Sequence, residues 1–352
     1  MTLPIPEAAL RDHMASLGKT GSGKTSDTKV IVEHITEPGF AGLEQGARVC
    51  ILDLIKSDWW GLTSSRDGKK PGRPFQILGG PHGHVPLNSN SGKVIGDLVA
   101  KGALRLSILD MADFEPGGAQ RFFADFAAAL FRHIKGIVYL VVEEAHELAP
   151  KERSGFGNEN MSIHWMKKLA TAGRTRGIRL IVCTQRTQAL HNAVLGSCET
   201  MIAGRFTAPA DQAPVLDWFK ANVSKEKFTE IKASISSLKN GEAWVACGEA
   251  DFLQRVQCPR IKTFDNSATP EHGAADVQVR TAPVDRDALA KMIGLAADEV
   301  AANDPKALKA ALAEANKKIP APNSGGFPPD WCGGAKTFWT PCGAPRLGSR
   351  NA

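Results

Sequence analysis

The 352-residue chain has no CxxC pair and no HExxH, and its seven cysteines are odd in number. A zinc ribbon, a metalloprotease helix and a disulfide framework are thereby excluded. Most of the cysteines lie in apolar runs such as RVCIL and LIVCTQ, where a thiol is a small buried hydrophobe. Free thiols fit a reducing, cytoplasmic setting. The first 17 residues carry charges and two prolines without an apolar core, so no secretory leader is expected. The longest apolar runs, such as IVYLVV before Glu143, fall far short of the ~20 residues that span a bilayer. No block of like charge occurs either. Lys plus Arg (43) exceed Asp plus Glu (37) to give +6, which permits an anionic partner without building a basic arm. No internal repeat is present.

What the chain does have is alternation. Short apolar, β-rich runs predict strands at 13–17, 47–54, 74–79, 104–111, 136–145, 177–185, 200–206, 241–247 and 252–258. Several are continuous apolar runs, as in strands buried on both faces. Helical patterns lie between them, clearest at 117–134 and 160–173. Such alternation predicts a three-layer α/β fold with a mostly parallel central sheet, edged by antiparallel strands from 200–258. The polar, glycine-containing stretch 56–73 reads as a long surface excursion. Composition shifts near residue 265. An α/β core is therefore set at 1–265, a helical C-terminal extension at 266–318, broken at Asp304-Pro305, and a disordered Pro/Gly-rich tail at 319–352.

Residues 18–25, Gly-Lys-Thr-Gly-Ser-Gly-Lys-Thr, form a full GxxxxGK[ST] phosphate-binding pattern. Gly18, Gly21 and Gly23, with Thr20 and Ser22, let backbone N–H groups turn inward as an anion nest. Lys24 reaches β- and γ-phosphates, and the Thr25 hydroxyl is placed to ligate Mg²⁺. A helix over SDTKVIVEHI would add its N-terminus to the site. The ligand set implied is ATP with Mg²⁺.

A second motif follows on the run IVYLVVEE, an apolar strand delivering two carboxylates. Glu143 stands where an Asp usually joins the Mg²⁺ shell, and Glu144 is placed as the base that polarises the attacking water. The bland alternative is a solvated strand end. Downstream, GRTRG (173–177), expected to be a turn, leads into a strand ending Thr184-Gln185-Arg186, whose amide can sense a γ-phosphate. Arg174 and Arg176 are candidates for a finger reaching a neighbouring subunit, although surface arginines are more often merely solvated.

The set GKTGSGKT, VEEAHELAP, GRTRGIRLIVCTQR and MIAGRFTAPAD resembles the HerA–FtsK branch of RecA-fold motor ATPases, HerA-like proteins most of all. The passage LDLIKSDWWGL is similar to that group's Asp-Pro-x-Gly-x-Trp/Tyr segment, with Asp53 as its acidic residue. The resemblance covers roughly residues 5–260 and includes the eleven-residue step from Arg174 to Gln185. It implies Lys24 and Thr25 as phosphate and Mg²⁺ ligands, Glu143 and Glu144 as the Walker-B pair, Gln185 as sensor and Arg174 as trans-acting finger. Arg205, expected in the following strand, resembles a further basic residue near a subunit boundary. Three features depart from the family: Thr187 replaces a common proline, no small β-barrel precedes the P-loop, and no C-terminal winged helix is legible.

The resemblance implies a homo-hexamer that hydrolyses ATP at its interfaces and translocates or unwinds double-stranded DNA, in company with a nuclease or other effector encoded nearby. Two rivals stay open: a conjugation or secretion coupling ATPase moving single-stranded DNA or protein, and a nucleotide-gated assembly factor with little turnover. Among other residues, His146 lacks a second ligand at i+4. Trp59-Trp60 anchor the excursion more readily than they stack on a base. Cys332 and Cys342 have no legible metal partners.

Overall fold

A computed structural model describes residues 4–115, 117–153, 155, 158–266, 279–302 and 309. The expected tail, with Cys332 and Cys342, and the Asp304-Pro305 break lie outside the described residues. The strands are β1 (Met14–Leu17), β2 (Val49–Asp53), β3 (Gln76–Leu78), β4 (Leu106–Asp110), β5 (Val138–Val142), β6 (Ile178–Thr184), β7 (Thr200–Ala203), β8 (Glu242–Cys247) and β9 (Phe252–Gln257). Among the described residues they form one sheet, in the order β3-β4-β2-β5-β6-β1-β7-β8-β9. The first seven run parallel, and β8 and β9 are antiparallel additions at one edge.

The helices are α1 (Lys24–Ile35), α2 (Gly92–Lys101), α3 (Gly118–His133), α4 (Glu159–Arg176), α5 (Asn192–Leu195), α6 (Pro209–Asn222), α7 (Lys225–Ser234) and α8 (Arg286–Ala302). Side-chain alternation along the strands divides the apolar interior in two. Cys50 and Leu52 of β2 and Leu140 and Val142 of β5 enter the larger layer, with α2, α3 and α4. Val49, Ile51, Tyr139 and Val141 face the other layer, where α1 packs with Trp59, Leu62 and Phe75. The sheet is buried on both faces, which explains the continuous apolar runs.

The packing of α2 on α3 shows how sequence sets geometry. Phe122, Phe123, Phe126 and Leu130 recur on one face of α3 and are fully buried. A Cβ on Gly96 would lie 2.5 Å from the carbonyl oxygen of Phe126, so glycine lets the two helices close. Gly102, with φ +84°, ends α2.

Two expectations need correction. The GRTRG segment is not a turn: α4 runs on to Arg176, and only Gly177, at φ +94°, stops it. Gly173 instead packs against Ile178, the reason for a small residue there. The 56–73 excursion is not merely superficial, since Trp59, Leu62 and Thr63 are fully buried. Helices α2, α6 and α7 occupy the 85–103 and 207–240 stretches, to which the sequence patterns above assign no element. From the expected extension, α8 sets Leu289 into the larger apolar layer.

Truncating a packed aromatic removes its transfer energy and leaves a cavity. Phe126→Ala is expected to cost about 3–5 kcal/mol, whereas Leu295→Ala, at a side chain 62% exposed, should change stability by less than about 0.5 kcal/mol. Urea denaturation of the two variants checks both.

Candidate functional site: a P-loop facing two buried glutamates

The P-loop leaves the end of β1 at the middle of the sheet and turns into α1, at the carboxyl ends of the parallel strands. It is tied to both neighbours. The Gly18 N–H donates to the Thr184 carbonyl at the tip of β6 (3.4 Å), and the Lys19 N–H donates to the Arg205 carbonyl after β7 (2.9 Å). Gly21 and Gly23 hold φ of +74° and +102°. Gly18 serves differently: a Cβ there would come within 2.4 Å of Ser22 Oγ, so a larger residue would require the Ser22 side chain to shift. The loop thus offers amides to a cavity of about 250 Å³ lined by Lys19, Thr20, Lys24, Thr25, Lys56 and Asp58.

Across it stand Glu143 and Glu144, directly after β5. Both are completely buried, so the solvated-strand-end reading is overturned. Glu143 pairs with the buried Lys24 ammonium and accepts from Thr25 Oγ1 at 3.3 Å. Its carboxylate thus spans from the end of β5 to the first turn of α1. Glu144 adopts the left-handed conformation (φ +46°, ψ +50°), a costly one for a residue with a Cβ. It is held there by the Gln185 N–H (3.2 Å) and Thr184 Oγ1 (3.4 Å), both donating to Oε2. The Gln185 side chain in turn accepts from the Thr20 hydroxyl, linking sensor strand and P-loop.

Electrostatics explains how two carboxylates survive burial. Burial alone would lower Lys24 and raise Glu143. Their mutual attraction reverses both directions, so the lysine titrates above its ordinary range and Glu143 below the usual carboxylate range. Lys56 adds a second cation, its Nζ 3.7 Å from Glu143 Oε1 and 3.4 Å from Glu144 Oε1. Sequence reasoning missed Lys56. Its signal was its place three residues after Asp53, obscured by reading 56–73 as surface.

Asp53, at the end of β2, organises that segment by accepting the backbone N–H groups of Lys56 (3.3 Å), Asp58 (2.9 Å) and Trp59 (3.3 Å). Burial, with repulsion from Asp58, Asp110 and Glu143, pushes its carboxyl up to about 7. Lys29 of α1, entirely buried, reaches the Asp58 carbonyl (2.6 Å) and lies 5.7 Å from the Trp59 ring centre. Trp60 stacks on His82 at 4.2 Å. The tryptophans therefore anchor the loop that delivers Lys56.

Arg174 and Arg205 do not join this cluster. The Arg174 side chain, 55% exposed, pairs with Asp12 at the amino-terminal end of β1, the end opposite the P-loop. Arg205 follows β7 rather than lying within it, and its backbone carbonyl holds Lys19. Arg176 ends α4 with its guanidinium 4.7 Å from the Phe131 ring centre. His146 bonds Thr184 Oγ1 (2.9 Å), and no His/Cys/Asp/Glu group suited to holding a metal by itself occurs among the described residues.

A glycine loop on the central strand, carboxylates at the end of β5 and an amide at the end of the intervening β6 define a RecA-type P-loop nucleotide-binding domain. No family model matches the chain. The DNA double-strand break repair helicase HerA of Pyrococcus furiosus is 31% identical over 146 residues, 40% of this chain and 24% of its own length. A probable HerA helicase of Methanocaldococcus jannaschii is 30% identical over 142 residues, 40% of this chain and 25% of that protein. The chain thus matches about a quarter of the length of these relatives. The genome-packaging NTPase of Sulfolobus turreted icosahedral virus 2 aligns over 71% of this chain and 98% of its own, at 14% identity and a TM-score of 0.43. In sequence the chain is similar to the HerA helicases over about 40% of its length, on a P-loop α/β fold.

The residues present fit a nucleotide with its cation. Glu143 Oε2 is buried without a hydrogen-bond partner. With Thr25 Oγ1 it offers two hard oxygen ligands, the kind of sparse set Mg²⁺ completes with phosphate oxygens and water.

Two outcomes follow. Lys24→Ala removes the cation between two buried carboxylates and should destabilise the nucleotide-free chain by about 3 kcal/mol in chemical denaturation. Asp53, at about 7 in the fold against 3.8 in the open chain, favours folding fully below pH 4 and loses that contribution as pH rises through 7. Stability should therefore fall by about 2 kcal/mol more between pH 5 and 8 in the native chain than in Asp53→Asn.

Proposed function

We propose that the chain is an ATP-hydrolysing motor that translocates or unwinds double-stranded DNA as a homo-hexamer. The observation that carries this reading is the convergence of Lys24, Thr25, Glu143, Glu144 and Gln185 from three separate segments beside the P-loop. Lys24 and the loop amides would bind the triphosphate. Mg²⁺, held by Thr25 and Glu143, would neutralise charge developing on the phosphate oxygens. Glu144, fixed by Thr184 and the Gln185 N–H, orients the attacking water and takes its proton. Gln185, bonded to Thr20, is placed to relay the state of the P-loop to Glu144.

The helicase names of the sequence relatives support DNA as the track. The position of Arg174 supports a ring. It is exposed and stands at the amino-terminal end of β1, away from its own P-loop, so any nucleotide it meets would belong to a neighbouring subunit. Within the ring, DNA would be gripped through its phosphates, making binding weaken steeply with salt. A nuclease or other effector as partner rests on the family resemblance.

Duplex-stimulated ATP hydrolysis tests the reading. Double-stranded DNA should raise the rate, and Lys24→Ala or Glu144→Gln should each lower it by at least about 100-fold. An assembled protein that binds ATP yet ignores duplex DNA would defeat the motor. Arg174→Ala should lose at least about 10³ in turnover. Mixing it with Lys24→Ala subunits should restore part of that loss, since some interfaces then combine an intact loop with an intact arginine. No recovery would place Arg174's role within its own subunit.

A further inference from the structure

Away from the P-loop, one surface carries charge of a single sign. Residues 126–142 and 160–198 contain eight Lys and Arg and no Asp or Glu, more than the +6 of the whole chain. The two runs are separate in sequence, and the packing of α3 on α4 sets them side by side. Phe131 of α3 and Trp165 of α4 form the seam, with ring centres 6.0 Å apart. Three cations crowd onto this pair of rings. Lys168 Nζ lies 5.0 Å from both ring centres, the Arg176 guanidinium 4.7 Å from Phe131, and the Arg132 guanidinium 5.9 Å from Trp165.

None of these three cations is in an ion pair among the described residues. Of their neighbours, His133 is paired with Asp97 and Arg174 with Asp12. The ring faces hold the three in place, each contact being worth about 0.5–1 kcal/mol at an exposed site, but they do not neutralise them. Lys135 and Lys167, both exposed, enlarge the basic area. Its field reaches His191, where burial and then Lys167 and Arg153 hold the imidazole below its ordinary range. Helices α3 and α4 end where β5 and β6 begin, so the surface lies at the opposite end of the strands from the P-loop.

We propose that this α3–α4 face binds the phosphate backbone of duplex DNA, as a contact area separate from the nucleotide site. The proposal rests on DNA being the polymer on which the chain acts, the reading given above. Residues 167 to 176 of α4 span about 14 Å. A duplex carries one charge per about 1.7 Å of axis, enough phosphates over that length to meet every cation of the face. Arginines seated on ring faces keep their N–H edges free, and such edges bind phosphate oxygens in pairs. A protein partner fits less well. Phe131 and Trp165 are buried, and among the described residues of the two runs only Ile137 and Met161 are exposed large hydrophobic side chains, at separate places. That is short of the apolar centre on which protein contacts are built.

Fluorescence anisotropy of the full chain with a labelled blunt duplex, repeated between about 50 and 200 mM salt, tests the proposal. Arg132→Gln, Lys168→Met and Arg176→Gln together remove three charges while keeping side-chain stems over the rings. The slope of log K against log salt should become shallower by about 2.7, and affinity at about 50 mM salt should fall at least about 100-fold. Lys135→Ala with Lys167→Ala, outside the ring contacts, should make the slope shallower by about 1.8. ATP hydrolysis without DNA should be unchanged in both variants, since none of the five residues lines the P-loop cavity. A native slope in both variants overturns the DNA-binding face alone. Loss of self-association at a native slope overturns it too, and assigns the face to a second copy of the chain. A native chain that fails to bind the duplex overturns the face and the DNA reading together.

Discussion

The buried ion pair between Lys24 and Glu143 is the constraint around which this structure is arranged. An unpaired charge at that depth is costly, and two adjacent carboxylates with a single lysine leave an imbalance that must be met locally. Lys56 meets it from a loop fastened by Asp53, by Lys29 and by the buried Trp59. Three elements far apart in sequence are thereby committed to one another before any nucleotide arrives. The same network makes the cavity responsive. Phosphate oxygens attracting Lys24 would draw it from Glu143, freeing a carboxylate oxygen as a metal ligand while Lys56 still offsets the remaining charge. On the proposed reading, a pair that bridges the empty site would become the means by which loading is communicated to Glu144.

The sheet topology gives that network its reach. Strand β6 lies between the P-loop strand and the Walker-B strand, so Thr184 and Gln185 at its tip touch both. The Gly18 N–H binds the Thr184 carbonyl, while the Thr184 hydroxyl and the Gln185 N–H bind Glu144. No long pathway is needed, since the coupling passes through two consecutive residues.

Much of this was legible in the sequence. The strand runs were readable because a sheet covered on both faces demands uninterrupted apolar residues, as in VYLVV. The P-loop and the glutamate pair were readable because phosphate chemistry fixes residue types at fixed spacings. Lys56 was hidden because its role depends on a tertiary contact, and its polar neighbours resemble ordinary surface. The segment around Arg174 reads as a turn because the glycines at 173 and 177 look alike in sequence. Only Gly177 takes a positive φ, while Gly173 serves packing. Helices α6 and α7 were missed because few of their side chains are buried, leaving little apolar periodicity to read.

The contact between Gly241 and the P-loop also bears on when the site comes into being. Ser22 and Gly241 are more than 200 residues apart, yet one hydrogen bond and a close backbone approach join them. Contacts of such sequence separation form late, after the loop-closure entropy of the intervening chain has been overcome. During synthesis the glycine loop emerges first and must wait for β8, among the last strands, to back it. On the phosphate-binding reading of residues 18–25, the loop would therefore lack its backing until residues 241–247 have been made.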